Sequence, residues 1–289
     1  MPASRINLWD KTRAQLRVRS KFKKTLGYRL NLRRPQTYCE KIQWCKFYHN
    51  HLSDYVTTRA DKITVRDVVA RLGYSKILLQ HYGGWTSARE INWDTLPNQF
   101  VLKINNASGP KYRWFIQDKT QVDLSHIGMT VDMRLSKKYG IELGEFHYQA
   151  SPSQVFAEAY LYEPGGLKDY KFYCFAGEVE FFSVEKKNIK GGEMRAYYNK
   201  DWSVADVSFV DDVPPPNTPF DKPKNFSEML LIATKLSEGY PHVRVDLYNV
   251  DGVIYFGELT YVPESGFTKW QPLELDYYYG NKIDLSLLK

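Results

Sequence analysis

The chain has 289 residues, of which 43% are hydrophobic, 25% charged and 15% aromatic, a balance that supplies one large or two modest cores and excludes disorder. No stretch reaches the roughly 18 to 20 consecutive apolar residues of a membrane helix, and the N-terminus lacks the apolar run of a secretory signal, so a cytoplasmic protein is expected. The net charge of +7 is unevenly placed: residues 1–34 carry eleven Lys and Arg against the single acid Asp10, a net +10 that leaves the remainder at −3.

Within this basic arm Trp9, Leu16, Val18, Phe22 and Leu26 recur at intervals compatible with one helical face. Two readings stand: a solvated helix docked on the domain by those residues, or a helix that touches anionic lipid or another polyanion. Nucleic acid is not an expected partner, because the arm carries no RNA-binding signature and the body is slightly acidic. Cys39, Cys45 and Cys174 form neither a CxxC pair nor an even set, and the six histidines fall in no HExxH motif. Reduced thiols and no metal centre built on nitrogen or sulfur follow.

Residues 37–49 and 61–72 read as helices joined by a short polar connector, the second stopped by Gly73. From about residue 98 the pattern turns to strands: 100–105, 155–162, 169–186 bent at Ala176-Gly177, and 243–261 bent near Asp251-Gly252. Helical patterns at 123–138 and 225–238 alternate with them, and Pro214, Pro215, Pro216, Pro219 and Pro223 make a stiff connector before the second. The class is therefore α+β, with antiparallel hairpins predominating.

The last hairpin carries the chemistry. Val243, Val245, Leu247, Val253 and Leu259 alternate with Arg244, Asp246, Glu258 and Thr260. A two-residue Asp251-Gly252 turn pairs Val250 with Val253 and sends Asp246 and Glu258 to opposite faces, whereas a three-residue loop at 250–252 pairs Asn249 with Val253 and sets Arg244 opposite Glu258. Burial of the apolar set selects the three-residue loop. The polar face then offers either an oxygen-rich site for a hard divalent cation with an arginine beside it, or an ordinary cross-strand ion pair. Lys103, followed by the small polar loop Asn105-Asn106-Ala107-Ser108-Gly109, and Lys171, sharing a face with Asp169, are strand-borne lysines, and Glu158 sits in an apolar strand. They either pair with an anion or reach solvent from a sheet edge.

Taken in order, RRPQTYCEKIQW, ADKITVRDVV, LPNQFVLKINNASG, VFAEAYLYE, DYKFYCFAGEVEF, MRAYYNKDW and VRVDLYNVDGVIYFGELTYVPESGF resemble the ATP-grasp superfamily. Within it the likeness is to the TupA-like branch associated with teichuronopeptide and other bacterial surface polysaccharides, over residues 31–280. The resemblance implies two α+β subdomains whose antiparallel sheets grip ATP between them. In this sequence they divide as a helical basic arm at 1–34, a helical substrate region at 35–97, a small subdomain with a flexible loop at 98–165 and a C-terminal subdomain with the metal site at 166–289.

It also implies roles. Lys103 and Lys171 resemble the phosphate-binding lysines, and Ser108 and Gly109 part of the loop over the γ-phosphate. Glu158, Tyr160 and Leu161 resemble the segment that receives adenine, and Glu163 a ribose contact. Asp246 and Glu258, with Thr260 where many members have Asn, resemble the Mg2+ ligands; Arg244 resembles the arginine that stabilises the transition state, and Arg195 a basic residue facing phosphate or acceptor. The implied activity is ADP-forming ligation of a carboxylate-bearing sugar or glycan to an amino acid or small amine, with ATP and Mg2+ as cofactors. Contact with the inner membrane face or with polysaccharide assembly proteins suits the basic arm. A kinase acting on a sugar from the same ATP site, and a non-catalytic nucleotide- or glycan-binding subunit, are the alternatives.

Overall fold

The structure is a computed structural model that describes residues 6–187, 192–210 and 213–288; residues 1–5 of the basic arm lie outside this description. Helix α1 (Leu8–Leu26) starts where the Asn7 side chain accepts from the Asp10 amide at 2.8 Å, and stops at Gly27, whose left-handed φ of 83° lets its amide close on Lys23 O. Its buried stripe is Ala14, Val18 and Phe22, while Trp9 and Leu16 face solvent at 77% and 64% exposure. The docked-helix reading of the arm therefore holds through Val18 and Phe22 and fails for Trp9 and Leu16. The four-residue spacing of the buried positions lets only one side of the helix reach the core.

Helix α2 (Tyr38–Tyr48) opens with a capping box between Thr37 and Glu40. The stretch expected to be a plain connector contains α3 (Asp54–Ala60), capped by Ser53, and the helix expected at 61–72 is the short α4 (Thr64–Val69), continued by a loose turn to Gly73 at φ 91°. The remaining helices are α5 (Leu124–Leu135), α6 (Phe226–Ser237) and α7 (Glu274–Lys282).

Two antiparallel sheets carry the rest. The smaller contains β1 (His81–Trp85), β2 (Phe100–Ile104), β3 (Arg113–Ile116) and β4 (Val155–Ala159), in the order β1-β4-β2-β3. The larger contains β5 (Lys168–Phe175), β6 (Glu178–Lys187), β7 (Glu193–Tyr198), β9 (His242–Val250) and β10 (Val253–Thr260), ordered β10-β9-β5-β6-β7; β8 (Ser208–Phe209) and β11 (Trp270–Gln271) form a separate pair.

Each large sheet buries one face. Phe100, Leu102, Val155 and Ala157 pack with Val131 of α5 in a small core. Phe172, Phe182, Val245 and Leu247 belong, with Met229, Ile232 and Ala233 of α6, to a larger core that also takes in Phe22 of α1 and Tyr38 of α2. The opposite faces mix apolar side chains with the charged ones, Lys103 and Glu158 on the smaller sheet and Asp169, Lys171, Glu185, Arg195, Arg244 and Asp246 on the larger.

The hairpin of β9 and β10 corrects the expected register. Val253 pairs with Val250 across a two-residue Asp251-Gly252 turn, whose φ values of 51° and 80° suit a tight turn with both central residues left-handed. Pairing runs regularly to Phe256–Leu247, then slips at Gly257, so that Glu258 meets Asp246 and Thr260 meets Arg244. The polar face is thus assembled by a bulge rather than by a longer loop. Glycine is required there, because a Cβ on Gly257 would lie 2.8 Å from the Asp246 carbonyl oxygen. Val253, expected among the buried set, is 48% exposed at the tip, and Ile254 and Phe256 take the inward places.

Candidate functional site

The two charge-bearing faces enclose a cleft of about 420 Å³. From the small sheet come Lys103 and the following loop with Ser108 and Gly109; from the large sheet come Lys171, Glu185, Arg195, Arg244, Asp246 and Glu258. Strand pairing explains the convergence: Lys171 on β5 is the direct neighbour of Asp246 on β9, which is the direct neighbour of Glu258 on β10. On the other side of β5, Asp169 faces Glu185 of β6, and Glu185 faces Arg195 of β7. One sheet face therefore bears charged side chains from all five strands, with two carboxylate pairs, Asp246–Glu258 and Asp169–Glu185, flanked by the cations Lys171, Arg195 and Arg244.

The lysines are held by carboxylates. Lys103 is ion-paired with Glu158 of the adjacent strand, and Lys171 is ion-paired with Glu185 and lies 3.6 Å from Asp169. Glu185 is shared with Arg195, whose guanidinium approaches it at 2.7 Å. Arg244 grips Asp246 with two bonds of 2.7 Å and reaches the Thr260 hydroxyl at 3.2 Å, and Thr260 donates to Glu258 at 2.8 Å. Lys62 approaches Glu258 at 3.6 Å and donates to the Ala107 carbonyl at 2.8 Å. The loop after β2 is anchored at its root. Asn105 donates to Asp61 at 2.6 Å, and Asn106 donates to the carbonyls of Tyr148 and Ser151.

These environments split the carboxylates. Burial pushes Asp246 up to about 7 against the pull of Arg244, with Asp169 and Glu258 adding to the rise. Burial raises Asp169 as well, Lys171 opposing and Glu185 reinforcing, and its Oδ1 is buried with no hydrogen-bond partner. Glu258 goes the other way: although burial raises it, Lys62, Arg244 and the Thr260 hydroxyl bring it down to about 2.

A divalent cation fits this donor set. Among the described residues no group of three or more His, Cys, Asp or Glu side chains is arranged to hold a metal by itself. Two facing carboxylates, Asp246 and Glu258, plus phosphate oxygens are nevertheless the usual complement for Mg2+. The orphaned Asp169 oxygen and the raised Asp246 mark an excess of buried negative charge that a cation relieves.

Of the residues singled out in the sequence, Lys103, Ser108, Gly109, Lys171, Arg195, Arg244, Asp246 and Glu258 line this one cleft. Thr260 touches it through Glu258 and Arg244. Glu158 reaches it only through Lys103. Tyr160, Leu161 and Glu163 lie on the connector from β4 to β5, away from the lining; Tyr160 accepts a bond from Gln117 at 2.8 Å and Glu163 pairs with Lys168 at 2.5 Å. Lys62 and Glu185 were not anticipated. Glu185 comes onto Lys171's face only because the β5–β6 hairpin slips register between Tyr173 and Cys174, which regular alternation does not show, and Lys62 sits just before a helix, where no periodicity marks it.

The TupA-like ATP-grasp family matches residues 40–284. The chain belongs to that family. No curated relative matches it. Among solved structures it is similar to the D-alanine–D-alanine ligase of Helicobacter pylori, at 13% identity and a TM-score of 0.47, over 85% of this chain and 68% of the other. The corresponding ligase of Bacillus anthracis gives 15% identity and a TM-score of 0.43, over 70% of this chain and 57% of that one. The L-amino acid ligase of Bacillus licheniformis gives 16% and 0.45, over 73% and 44%. The TupA-like ATP-grasp chain is thus shorter than these proteins, spanning little more than half the length of the Bacillus anthracis ligase. Among its described residues no helix is long and apolar enough to cross a membrane.

Proposed function

We propose that this ATP-grasp protein is an ADP-forming ligase that activates a carboxylate, a uronic acid or a sugar-linked acid, and joins it to an amino acid or small amine in polysaccharide biosynthesis. The observation that carries the reading is the convergence of Lys103, Lys171, Arg244, Asp246 and Glu258 on one cleft between two sheets. Phosphoryl and acyl transfer both demand positioned positive charge around phosphate, and little covalent chemistry from the protein.

In this reading Lys103 from the small sheet and Lys171 from the large one spread the charge of the nucleotide phosphates. Asp246 and Glu258 would hold Mg2+, which would supply charge neutralisation at the phosphates. An acceptor carboxylate oxygen attacks the γ-phosphorus, the bond to the β-phosphate oxygen breaks, and ADP leaves an acyl phosphate. The amine nitrogen then attacks the acyl carbon, loses a proton, and displaces inorganic phosphate to leave the amide. Arg244, locked in plane by Asp246, presents its guanidinium to the oxyanion formed in that second step.

Thermal unfolding with Mg2+ and ATP tests the nucleotide site. At ligand about a hundredfold above Kd the stabilisation is about 2.7 kcal/mol, and Lys103→Ala is expected to remove it. Uronic acids with hydroxylamine as a surrogate amine are then expected to give a hydroxamate and free phosphate. Phosphate retained on the sugar would instead identify a kinase, and an unchanged melting curve with ATP in the wild type would overturn the nucleotide reading.

A further inference from the structure

A second cavity of about 320 Å³ opens off the nucleotide cleft, sharing Glu185, Arg195 and Glu264 with it and drawing no residue from the four-stranded sheet. Its size lies within the range of roughly 300 to 1,000 Å³ usual for small-molecule sites. Lys21 and Lys269 join Arg195 in its wall. Against these three cations stand two carboxylates, Glu264 and Glu185, a formal balance of one positive charge in the lining. The surplus is positive, which attracts a carboxylate and repels an ammonium.

The rest of the lining suits a ring. Tyr197 and Phe209 meet edge to face at 5.2 Å, and the Phe267 ring lies 4.5 Å beneath the Lys21 ammonium. Thr25 and Thr268 add hydroxyls. Aromatic faces to pack against C–H surfaces, hydroxyls to exchange hydrogen bonds and cations for an acid group are together the complement of a carboxylated sugar.

Glu264, which lines both cavities, sits in a hydrogen-bonded turn. Glu264 and Ser265 both adopt left-handed backbone conformations, at φ 47° and 57°, which non-glycine residues rarely hold without support. Support comes from α2: Gln43 donates to the carbonyls of Ser265 and Gly266, and the buried Lys46 donates to Ser265 O at 2.9 Å. Glu145 accepts from the Ser265 hydroxyl at 2.7 Å.

We propose that this second cavity binds the carboxylate substrate as a carboxylated sugar ring, and that the basic helix α1 forms one of its walls through Lys21 and Thr25. The inference deepens the ligase reading and rests on it. It assigns a role to a helix that precedes the matched family region of residues 40–284, and it places the acid group near Arg195, where the two cavities meet.

The test is titration calorimetry of the full chain with D-glucuronate and D-galacturonate in the presence of Mg-ADP, with D-glucose as the neutral control. Expected are binding of at least one uronate and none of glucose. Binding should weaken about tenfold or more in Lys21→Glu and in Lys269→Glu, and stay unchanged in Lys24→Glu, an exposed α1 lysine outside the cavity. Equal loss in all three variants would indicate bulk charge and overturn the site, as would uronate binding that ignores Lys21 and Lys269, or no uronate binding at all. ATP-induced stabilisation of the same variants is read separately: its presence without uronate binding sinks only the acceptor cavity, whereas its absence in the wild type sinks the nucleotide reading.

Discussion

Asp246 faces Glu258 directly across the β9–β10 ladder only because Gly257 is squeezed out of register between them. The side chain that would disturb this is the smallest one possible. Gly257→Ala puts a methyl 2.8 Å from the Asp246 carbonyl oxygen and 3.2 Å from its carbon. A loss of about 1 to 3 kcal/mol in urea unfolding is expected, together with loss of the Mg-ATP stabilisation. Gly252→Ala is the contrast: its φ of 80° is strained for alanine but nothing lies within 4 Å. It should cost only about 1 kcal/mol and leave nucleotide binding intact. Equal effects on nucleotide binding would show that the bulge does not set the carboxylate pair.

Arg244 and Asp246, at 7% and 4% exposure, neutralise each other inside the sheet face. Arg244→Ala leaves a buried carboxylate without its partner and should destabilise by about 3 to 5 kcal/mol. The double variant Arg244→Met, Asp246→Leu removes both charges and should recover most of that loss while ATP turnover stays absent. Denaturation curves and phosphate release on the same samples separate the two quantities. Turnover by the double variant would remove both residues from the chemistry.

Asp246 also sets a pH dependence. Its carboxyl, raised to about 7 in the fold and near 4 in the unfolded chain, makes the native state hold the extra proton between those values. Its contribution to stability therefore falls as pH rises from about 4 to about 7, and is level above. The buried imidazoles of His147 and His242, lowered to about 3, pull oppositely below the ordinary histidine range. The measurement is thus the difference between wild type and Asp246→Asn, which should shrink the wild type's advantage as pH rises. Mg-ATP affinity should rise across the same window, because the metal needs the ionised carboxylate, and Asp246→Asn should flatten that rise.

Phe22 and Trp9 lie on one helix yet belong to different environments. Phe22 is fully buried, edge to face with Tyr28 at 5.1 Å, whereas Trp9 is 77% exposed. Phe22→Ala should cost about 3 to 5 kcal/mol and Trp9→Ala no more than about 0.5 kcal/mol. Thermal or urea unfolding checks both. A large effect of Trp9→Ala would mean that the helix packs by a different face.

Much of this arrangement was legible in the residues. The two-residue period within each strand set Lys171 with Asp169, Arg244 with Asp246 and Glu258 with Thr260, but whether the sets of β9 and β10 share a face depends on what joins them. The bulge was harder to read: the alternation is satisfied equally by a longer turn, although a glycine inside the strand was a usable sign. The edge strand β1 escaped because His81-Tyr82-Gly83-Gly84-Trp85 has no β-branched residue and no alternation, and it forms only against β4. Lys62 escaped for a related reason, since its approach to Glu258 depends on how α4 sits against a strand nearly two hundred residues later. Trp9 and Leu16 misled because helical spacing says which residues can share a face, not which face the core will accept.

The pairing of β1 with β4 has one more implication. The chain enters the four-stranded sheet at Gln80 and leaves it after Ala159, and the Ala159 amide bonds the Gln80 carbonyl at 2.9 Å. Everything from β1 to β4 is one excursion from the body of the protein, closed at its base like the neck of a drawstring bag. Any tilt of that sheet over the larger one would have to turn about this doubled neck and the further ties that hold the excursion to the helical body, among them Asn105 to Asp61, Lys62 to the Ala107 carbonyl and Phe146 against Phe47.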